Sequence, residues 1–405
     1  MQTGLKNFFR TFVKKESLFV NKQALQLSYS PEKIIHRDDL INSMANMLAP
    51  VLRMEKPSNI FIYGKTGTGK TLVTMHVTSE LQKIIVEMNL TINIAYINCK
   101  LKRVADTEYR LIAQMAKKLG RELPPTGLPT DEIYNMFTQI LESQEQIFII
   151  ILDEIDHLIK KAGDNILYNL TRINADLKKS QISIIGISND PNFTEYIDPR
   201  VKSSLNEEDI IFSPYNAIQL QEIIKERSDI AFKENALAPG VVSKCAAYSA
   251  REHGDARRAL ELIRVAGEIA ERSNSPIVAI NHLDEAEQKI EKDTIFEIIK
   301  NEPKQFQAVL YSIMVVCSKK SEHIFTGEIY EYYKALCEKA SLRPLTQRRV
   351  SDVIGELDMQ GIINANVISK GRHGRTREIA LTIPETSIPK IKQLIEESLD
   401  VKQAE

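Results

Sequence analysis

The sequence predicts a doubly wound parallel α/β domain, then an all-helical segment, then a domain of helices closed by a β-hairpin. Three observations predict it. Residues 60–63 are a short apolar run that ends in GKTGTGKT (64–71), with a helix-like stretch directly behind. Six consecutive apolar residues, 147–152, end in Asp153-Glu154. Two β-rich runs, 362–369 and 376–383, flank the basic, glycine-containing tip 370–375.

The loop is the first anchor. Gly64, Lys65, Thr66, Gly67, Thr68, Gly69, Lys70 and Thr71 match the phosphate-binding pattern G-x-x-x-x-G-K-[ST]. Glycines let backbone N–H groups turn inward around a phosphate chain, and the N-terminus of the next helix adds positive potential. Lys70 is placed to reach the β- and γ-phosphates, and the Thr71 hydroxyl to ligate Mg²⁺. The chemistry expected is therefore ATP/ADP binding with Mg²⁺.

The second anchor is the strand at 147–152. An unbroken apolar run bounded by acidic groups reads as a central parallel strand covered on both faces. Ligands of open α/β sheets collect at the C-terminal strand ends, where Asp153 sits. Asp153 can hold the Mg²⁺ water shell and Glu154 can orient the attacking water. The run 182–188 is a further buried strand, and Asn189 at its end can reach the γ-phosphate or the water. With 60–63 and 91–98, these strands alternate with helical stretches, so residues 1–212 form the α/β base.

Bulk composition sets limits. At 405 residues, 43% hydrophobic and 26% charged, the chain is an ordinary globular one of two or three domains. No apolar run is long enough for a transmembrane helix, so no membrane partner is expected. Cys99, Cys245, Cys317 and Cys337 have no C-x-x-C spacing, which suggests neither a zinc site nor a disulfide framework. Net charge is −1, yet residues 303–383 carry twelve Lys/Arg against eight Asp/Glu. A local basic face suits phosphate binding whatever the total.

In chain order, residues 1–16 are a basic leader with Phe8, Phe9 and Phe12 between the charges. A helix is expected near 40–48, another at 107–119, a turn at 121–130 from its prolines and Gly127, and a helix from 131. From 213 to 301 strand signals vanish and three or four helices form a lid. One of them starts at Asp255 with Arg257 and Arg258 in its first turn, against the helix dipole. That placement makes sense if one arginine reaches a nucleotide phosphate; a salt bridge to a nearby carboxylate is the other reading.

Residues 302–405 follow as a third domain. Helices are expected at 304–318, 326–340 and 346–359. In the last, Val350, Val353, Ile354 and Leu357 make the core face and Arg348 points outward. Helices followed by a basic hairpin form the winged-helix plan, with the third helix entering the major groove.

Taken together, the segments SYSPEKIIHRDDLI, GKTGTGKT, IIILDEID, ISND, IDPRVKSSL, GDARRAL and GRHGRTRE, in that order, resemble the archaeal origin-recognition initiators. These are AAA+ ATPases related to the origin recognition complex and the helicase-loading initiator of eukaryotes. The resemblance runs from about residue 18 to 383 and implies an AAA+ base, an all-α lid and a C-terminal winged helix. By it, Ile34, Ile35 and Arg37 would border the adenine pocket, with Tyr215 joining the nucleotide set. Asn189 corresponds to sensor 1 and Arg257 to sensor 2. Arg200 falls in the arginine-finger region and would act on a neighbouring subunit's nucleotide.

Thr126, Gly127 and Leu128 resemble an initiator-specific DNA-contacting insertion. Arg348, Arg349, Gly371, Arg372, His373, Gly374 and Arg375 would make winged-helix DNA contacts. Two positions depart from the family pattern: Ser30 stands where valine is usual, and His373 where tyrosine is usual. The function implied is a slow, regulatory ATPase that binds duplex origin DNA, recruits or loads the replicative helicase and self-associates on DNA. Its expected place is the cytoplasm, on the nucleoid. A nucleotide-gated signalling ATPase whose winged helix makes intramolecular or protein contacts is the rival, and a processive motor a third reading.

Overall fold

The computed structural model describes residues 16–100, 107–124, 127–190, 193, 197–205, 207–252, 254–319, 324–369, 375–383 and 387–400, without the side chains of 204, 205, 207, 319, 367–369 and 375. The chain divides into two compact units, 1–284 and 285–405.

The first unit is built on five parallel strands: β1 (Asn59–Gly64), β2 (Ile92–Asn98), β3 (Gln146–Asp153), β4 (Ser180–Ser188) and β5 (Glu207–Phe212), in the order β2-β3-β4-β1-β5. Alternate residues of β1, β2, β3 and β4 enter two separate cores. Phe61, Phe148, Ile150, Leu152 and Ile184 face one. Ile60, Ile62, Ile149, Ile151, Ile185 and Ile187 face the other. Burial on both faces is why β1 and β3 are apolar without alternation. The 3-4-1 neighbour order brings the C-terminal ends of β1, β3 and β4 together, so Gly64, Asp153 and Ser188 end side by side.

Helices α1 (Asp38–Leu48), α2 (Lys70–Glu87), α3 (Glu108–Lys118), α4 (Thr130–Leu141), α5 (Ile155–Ala162), α6 (Asn165–Asp176) and α7 (Pro199–Leu205) accompany the sheet. The lid contributes α8 (Ala217–Ala231), α9 (Val241–Arg251) and α10 (Ala256–Arg272). Asn216 and Gln219 form a reciprocal capping box that starts α8. Asp255 starts α10 by accepting from the Arg257 and Arg258 amides at 2.7 and 3.2 Å.

An N-terminal strap ties down this lid. The Phe19 ring stacks on Phe232 at 4.6 Å, and Glu271 accepts from the Leu18 amide at 2.8 Å. Lys22 pairs with Glu268 at 2.9 Å. Gly267 makes the close approach possible: a Cβ there would lie 2.5 Å from the Phe19 ring. No helix among the described residues is long and apolar enough to cross a membrane.

Helix α11 (Ile280–Asn301) precedes α12 (Lys304–Lys319), β6 (Ile324–Phe325), α13 (Thr326–Lys339), α14 (Gln347–Met359), β7 (Ile363–Ser369), β8 (Arg375–Leu381) and α15 (Ile388–Leu399). In the second unit β7 and β8 form an antiparallel hairpin, with β6 on the far edge of β8. Val350, Val353, Ile354 and Leu357 of α14 are buried with Ile363, Ile379 and Tyr333 in one core. The opposite face, including Arg348, is exposed.

Candidate functional site

The loop 64–69 leaves β1 and feeds the N-terminus of α2, as a phosphate cradle requires. Gly67 and Gly69 have φ of 73° and 92°, in the left-handed region that favours glycine. Space also demands glycine here. A Cβ on Gly67 would lie 1.7 Å from Asp255 Oδ1, and one on Gly69 would lie 3.0 Å from the Tyr215 hydroxyl.

Lys70 is buried, and its Nζ donates to the carbonyls of Gly64 (2.7 Å) and Lys65 (2.8 Å) and to Asn189 Oδ1 (2.9 Å). Burial, with the nearby Arg257 charge adding to it, lowers the Lys70 ammonium to about 8. One residue on, Thr71 Oγ1 donates to Asp153 Oδ2 at 2.9 Å. Loop, β3 end and β4 end therefore converge through side chains more than eighty residues apart in sequence.

Glu154 caps α5 from a left-handed backbone conformation, φ 55° and ψ 45°. For a non-glycine residue this costs ~1–2 kcal/mol, and such outliers concentrate at functional positions. Its carboxylate is mostly covered, 20% exposed, with Lys100 at 3.3 Å and His157 at 3.6 Å. Glu154 thus stands beside Asp153, directed by backbone rather than by a rigid ion pair.

The lid reaches the loop directly. The Ala256 amide donates to the Gly67 carbonyl at 3.2 Å. Of the two arginines in the first turn of α10, Arg258 pairs with Glu252 at 3.0 Å. Arg257 forms no ion pair among the described residues and lines a cleft of about 320 Å³. The salt-bridge reading of that turn therefore holds for Arg258.

The cleft is lined by the strap, the loop and the lid, including Ile34, Ile35, Gly67, Gly69, Thr71 and Tyr215. Arg37, expected at the adenine border, is not among the residues that line this cleft. It is buried behind the loop, where it donates to the carbonyls of Thr68 (3.2 and 3.0 Å) and Ser213 (2.7 Å). Its guanidinium also covers the Tyr215 ring at 3.9 Å. An arginine with five donors can satisfy two carbonyls and an aromatic face at once, so Arg37 staples loop to lid entry. Thr68 is buried and turns its hydroxyl to the Lys65 carbonyl at 2.9 Å, whereas Lys65 and Thr66 are exposed.

Two residues of this site escaped sequence reasoning. Tyr96 donates to Asp153 Oδ2 at 2.7 Å, and burial together with that bond pushes its phenol up to about 12. Arg227 lines the cleft with its guanidinium over the Tyr29 ring at 4.5 Å, and donates to the Tyr29 carbonyl. Only period-2 alternation at Tyr96 could have hinted at the first.

The remaining positions are more exposed. The Arg200 side chain is 88% exposed, with Asp198 at 3.6 Å. Gly127 is exposed and Leu128 half-buried after the turn, while Thr126 lies outside the described residues. Arg349 is flanked by Asp352 and Glu356, each at 3.7 Å, and Arg348 forms no ion pair among the described residues. Gly371, Arg372, His373 and Gly374 lie outside the described residues, as does the Arg375 side chain.

Comparison with known proteins agrees with this geometry. Residues 53–190 match the AAA domain family model, 221–288 the Cdc6 AAA+ ATPase-type lid domain, and 297–390 the CDC6 C terminal winged helix domain. The chain is 49% identical over 390 residues to ORC1-type DNA replication protein 1 of Methanosarcina mazei, covering 96% of this chain and 93% of that one. It is 50% identical over 383 residues to the ORC1-type DNA replication protein of Thermococcus onnurineus, covering 94% and 92%. Among solved structures it resembles the Aeropyrum pernix ORC1 protein in complex with DNA, with a TM-score of 0.82, 41% identity, and coverage of 95% and 98%. With a phosphate-loop sheet, a lid helix seated on that loop, and relatives matched over nearly their whole length, the chain belongs to the ORC1-type DNA replication proteins, built as an AAA+ domain, a lid and a C-terminal winged helix.

Proposed function

We propose that the chain is an ATP-switched initiator: it binds duplex DNA at replication origins, hydrolyses ATP slowly as a regulatory event, and recruits or loads the replicative helicase. The observation that carries this reading is the direct seating of the lid on the phosphate loop, Ala256 N–H to Gly67 C=O, beside Arg257. A change in what the loop holds is then felt at once by the lid.

Bound ATP supplies the scissile phosphoanhydride. Lys70 would neutralise the β- and γ-phosphates, and Arg257 would add a second positive charge from the lid. Thr71 and Asp153 present hard oxygen donors at one point, 2.9 Å apart, a set that fits Mg²⁺. Glu154 would orient the attacking water and accept its proton, with Asn189 fixing the water or the γ-phosphate. Arg200, projecting into solvent, is suited to a neighbouring copy's nucleotide, which supports self-association on DNA.

DNA contact is assigned to the exposed face of α14 with the hairpin tip, and to the turn at 126–128. Support comes from the exposed Arg348 and from the relative solved with DNA. Arg348→Ala should weaken duplex binding and flatten the dependence of log K on log salt by about one phosphate contact. Arg349→Ala should do less, since two carboxylates already offset its charge. Fluorescence anisotropy across a salt series checks both, and an unchanged slope for Arg348→Ala would remove α14 from the interface.

A further inference from the structure

The second unit holds a cleft of about 360 Å³ lined by α11 and the start of α15. Lys289 and Lys292 come from one face of α11 and Lys390 from the first turn of α15, with Glu285 and Asp293 also on the lining. None of the three lysines forms an ion pair among the described residues.

At the mouth of α15 stands Ser387, and its placement is unusual for the residue before a helix. It is 3% exposed, lines the cleft, and its Oγ has no hydrogen-bond partner among the described residues. A capping serine normally takes an extended backbone and turns its oxygen onto the helix amides. Ser387 has φ −94° and ψ −23°, inside the helical region, and makes no capping bond. Pro389 in the first turn removes one of the amides that a cap would serve. A buried hydroxyl without a partner carries a desolvation cost that a ligand oxygen would relieve.

The N-terminus of a 12-residue helix adds positive potential at the same point. An unsatisfied hydroxyl donor, three lysines and a helix N-terminus together describe an oxyanion receptor; lysine serves phosphate as a point charge. We propose that this cleft binds a phosphate group, either a phosphodiester of duplex DNA or a free phosphate ion. Nothing in the nucleotide site or the α14 face is needed for it.

The test uses the full chain with its phosphate loop saturated by ADP, so that added phosphate reports elsewhere. Inorganic phosphate is titrated while the ¹⁵N shifts of the Ser387 and Lys390 amides are followed. Saturable shifts are expected, weakened at least about tenfold in the Lys289→Gln/Lys292→Gln double variant, the worth of one charge-assisted hydrogen bond. In parallel, anisotropy with a mixed-sequence duplex is measured across a salt series. If the source is backbone phosphate, the double variant lowers the slope of log K against log salt by about one or more.

Ser387→Ala, which removes a single oxygen, should weaken whichever arm responds. A response to phosphate alone assigns the free ion, and a response of the duplex assigns the backbone. If neither the double variant nor Ser387→Ala changes either arm, the proposal is overturned. Should the chain fail to bind duplex at all, the phosphate arm still decides.

Discussion

Lys70→Ala is expected to lower ATP and ADP affinity by about a hundredfold or more, beyond detection at micromolar nucleotide. A charge-assisted hydrogen bond contributes about 1.5–3 kcal/mol, and this ammonium is placed to make more than one to the phosphates. The substitution has a second effect within the loop itself. The carbonyls of Gly64 and Lys65 and the oxygen of Asn189 all accept from Nζ, so its removal leaves three acceptors without that donor. The sheet beneath keeps its cores, so the chain should stay folded while the loop loses its shape. Titration of a fluorescent nucleotide checks the affinity, with circular dichroism as the folding control. Affinity within about threefold of wild type would mean that the loop holds phosphate without its lysine, against what its burial implies.

Glu154→Gln should separate binding from turnover. Glutamine keeps the size and shape of glutamate and can hold the same left-handed backbone, so nucleotide affinity should stay within a few-fold. It cannot take a proton from water, and a positioned base contributes about 10²–10⁴ to the rate. Hydrolysis is therefore expected to fall by that factor, to background if the wild-type rate is already slow. Phosphate release under single-turnover conditions, at saturating ATP, is the measurement. Retention of more than a tenth of the wild-type rate would assign the water-orienting role to another group. Lys100, the cation beside this carboxylate, loses its partner charge in the variant, so a modest change in stability is expected as well.

What could be read from sequence divides along a physical line. β1, β3 and β4 were legible because strands covered on both faces are dominated by apolar residues; the runs in β1 and β3 are unbroken, and that in β4 is interrupted only by the buried Ser183 and Gly186. The inward face of α14 was legible from its 3.6-residue period. β5 was not, because it is an edge strand, EEDIIF, with charged residues and an exposed Ile211 toward solvent. α5 has only eight residues, too few for a helical period to stand out, whereas α6 buries Ile166, Leu167, Leu170 and Ile173 at helical spacing.

At the site, the loop and the Asp153-Glu154 pair stood out because their chemistry is packed into consecutive residues. The contacts that join separate elements carried no such signal. Lys70 to Asn189, Tyr96 to Asp153 and Arg37 to Ser213 depend on which strand ends the topology makes neighbours. Arg37 shows the difference most clearly. Its place beside an expected adenine pocket followed from resemblance, whereas its geometry is set by two carbonyls and a ring.

Everything proposed for function turns on whether the nucleotide governs the grip on DNA. The direct measurement is footprinting and affinity of the full chain on duplexes from its own genome, in ATP, in ADP and without nucleotide. A seated lid predicts site-specific protection whose extent or strength differs between ATP and ADP. Identical protection in all three conditions, or no affinity for duplex DNA, would contradict it.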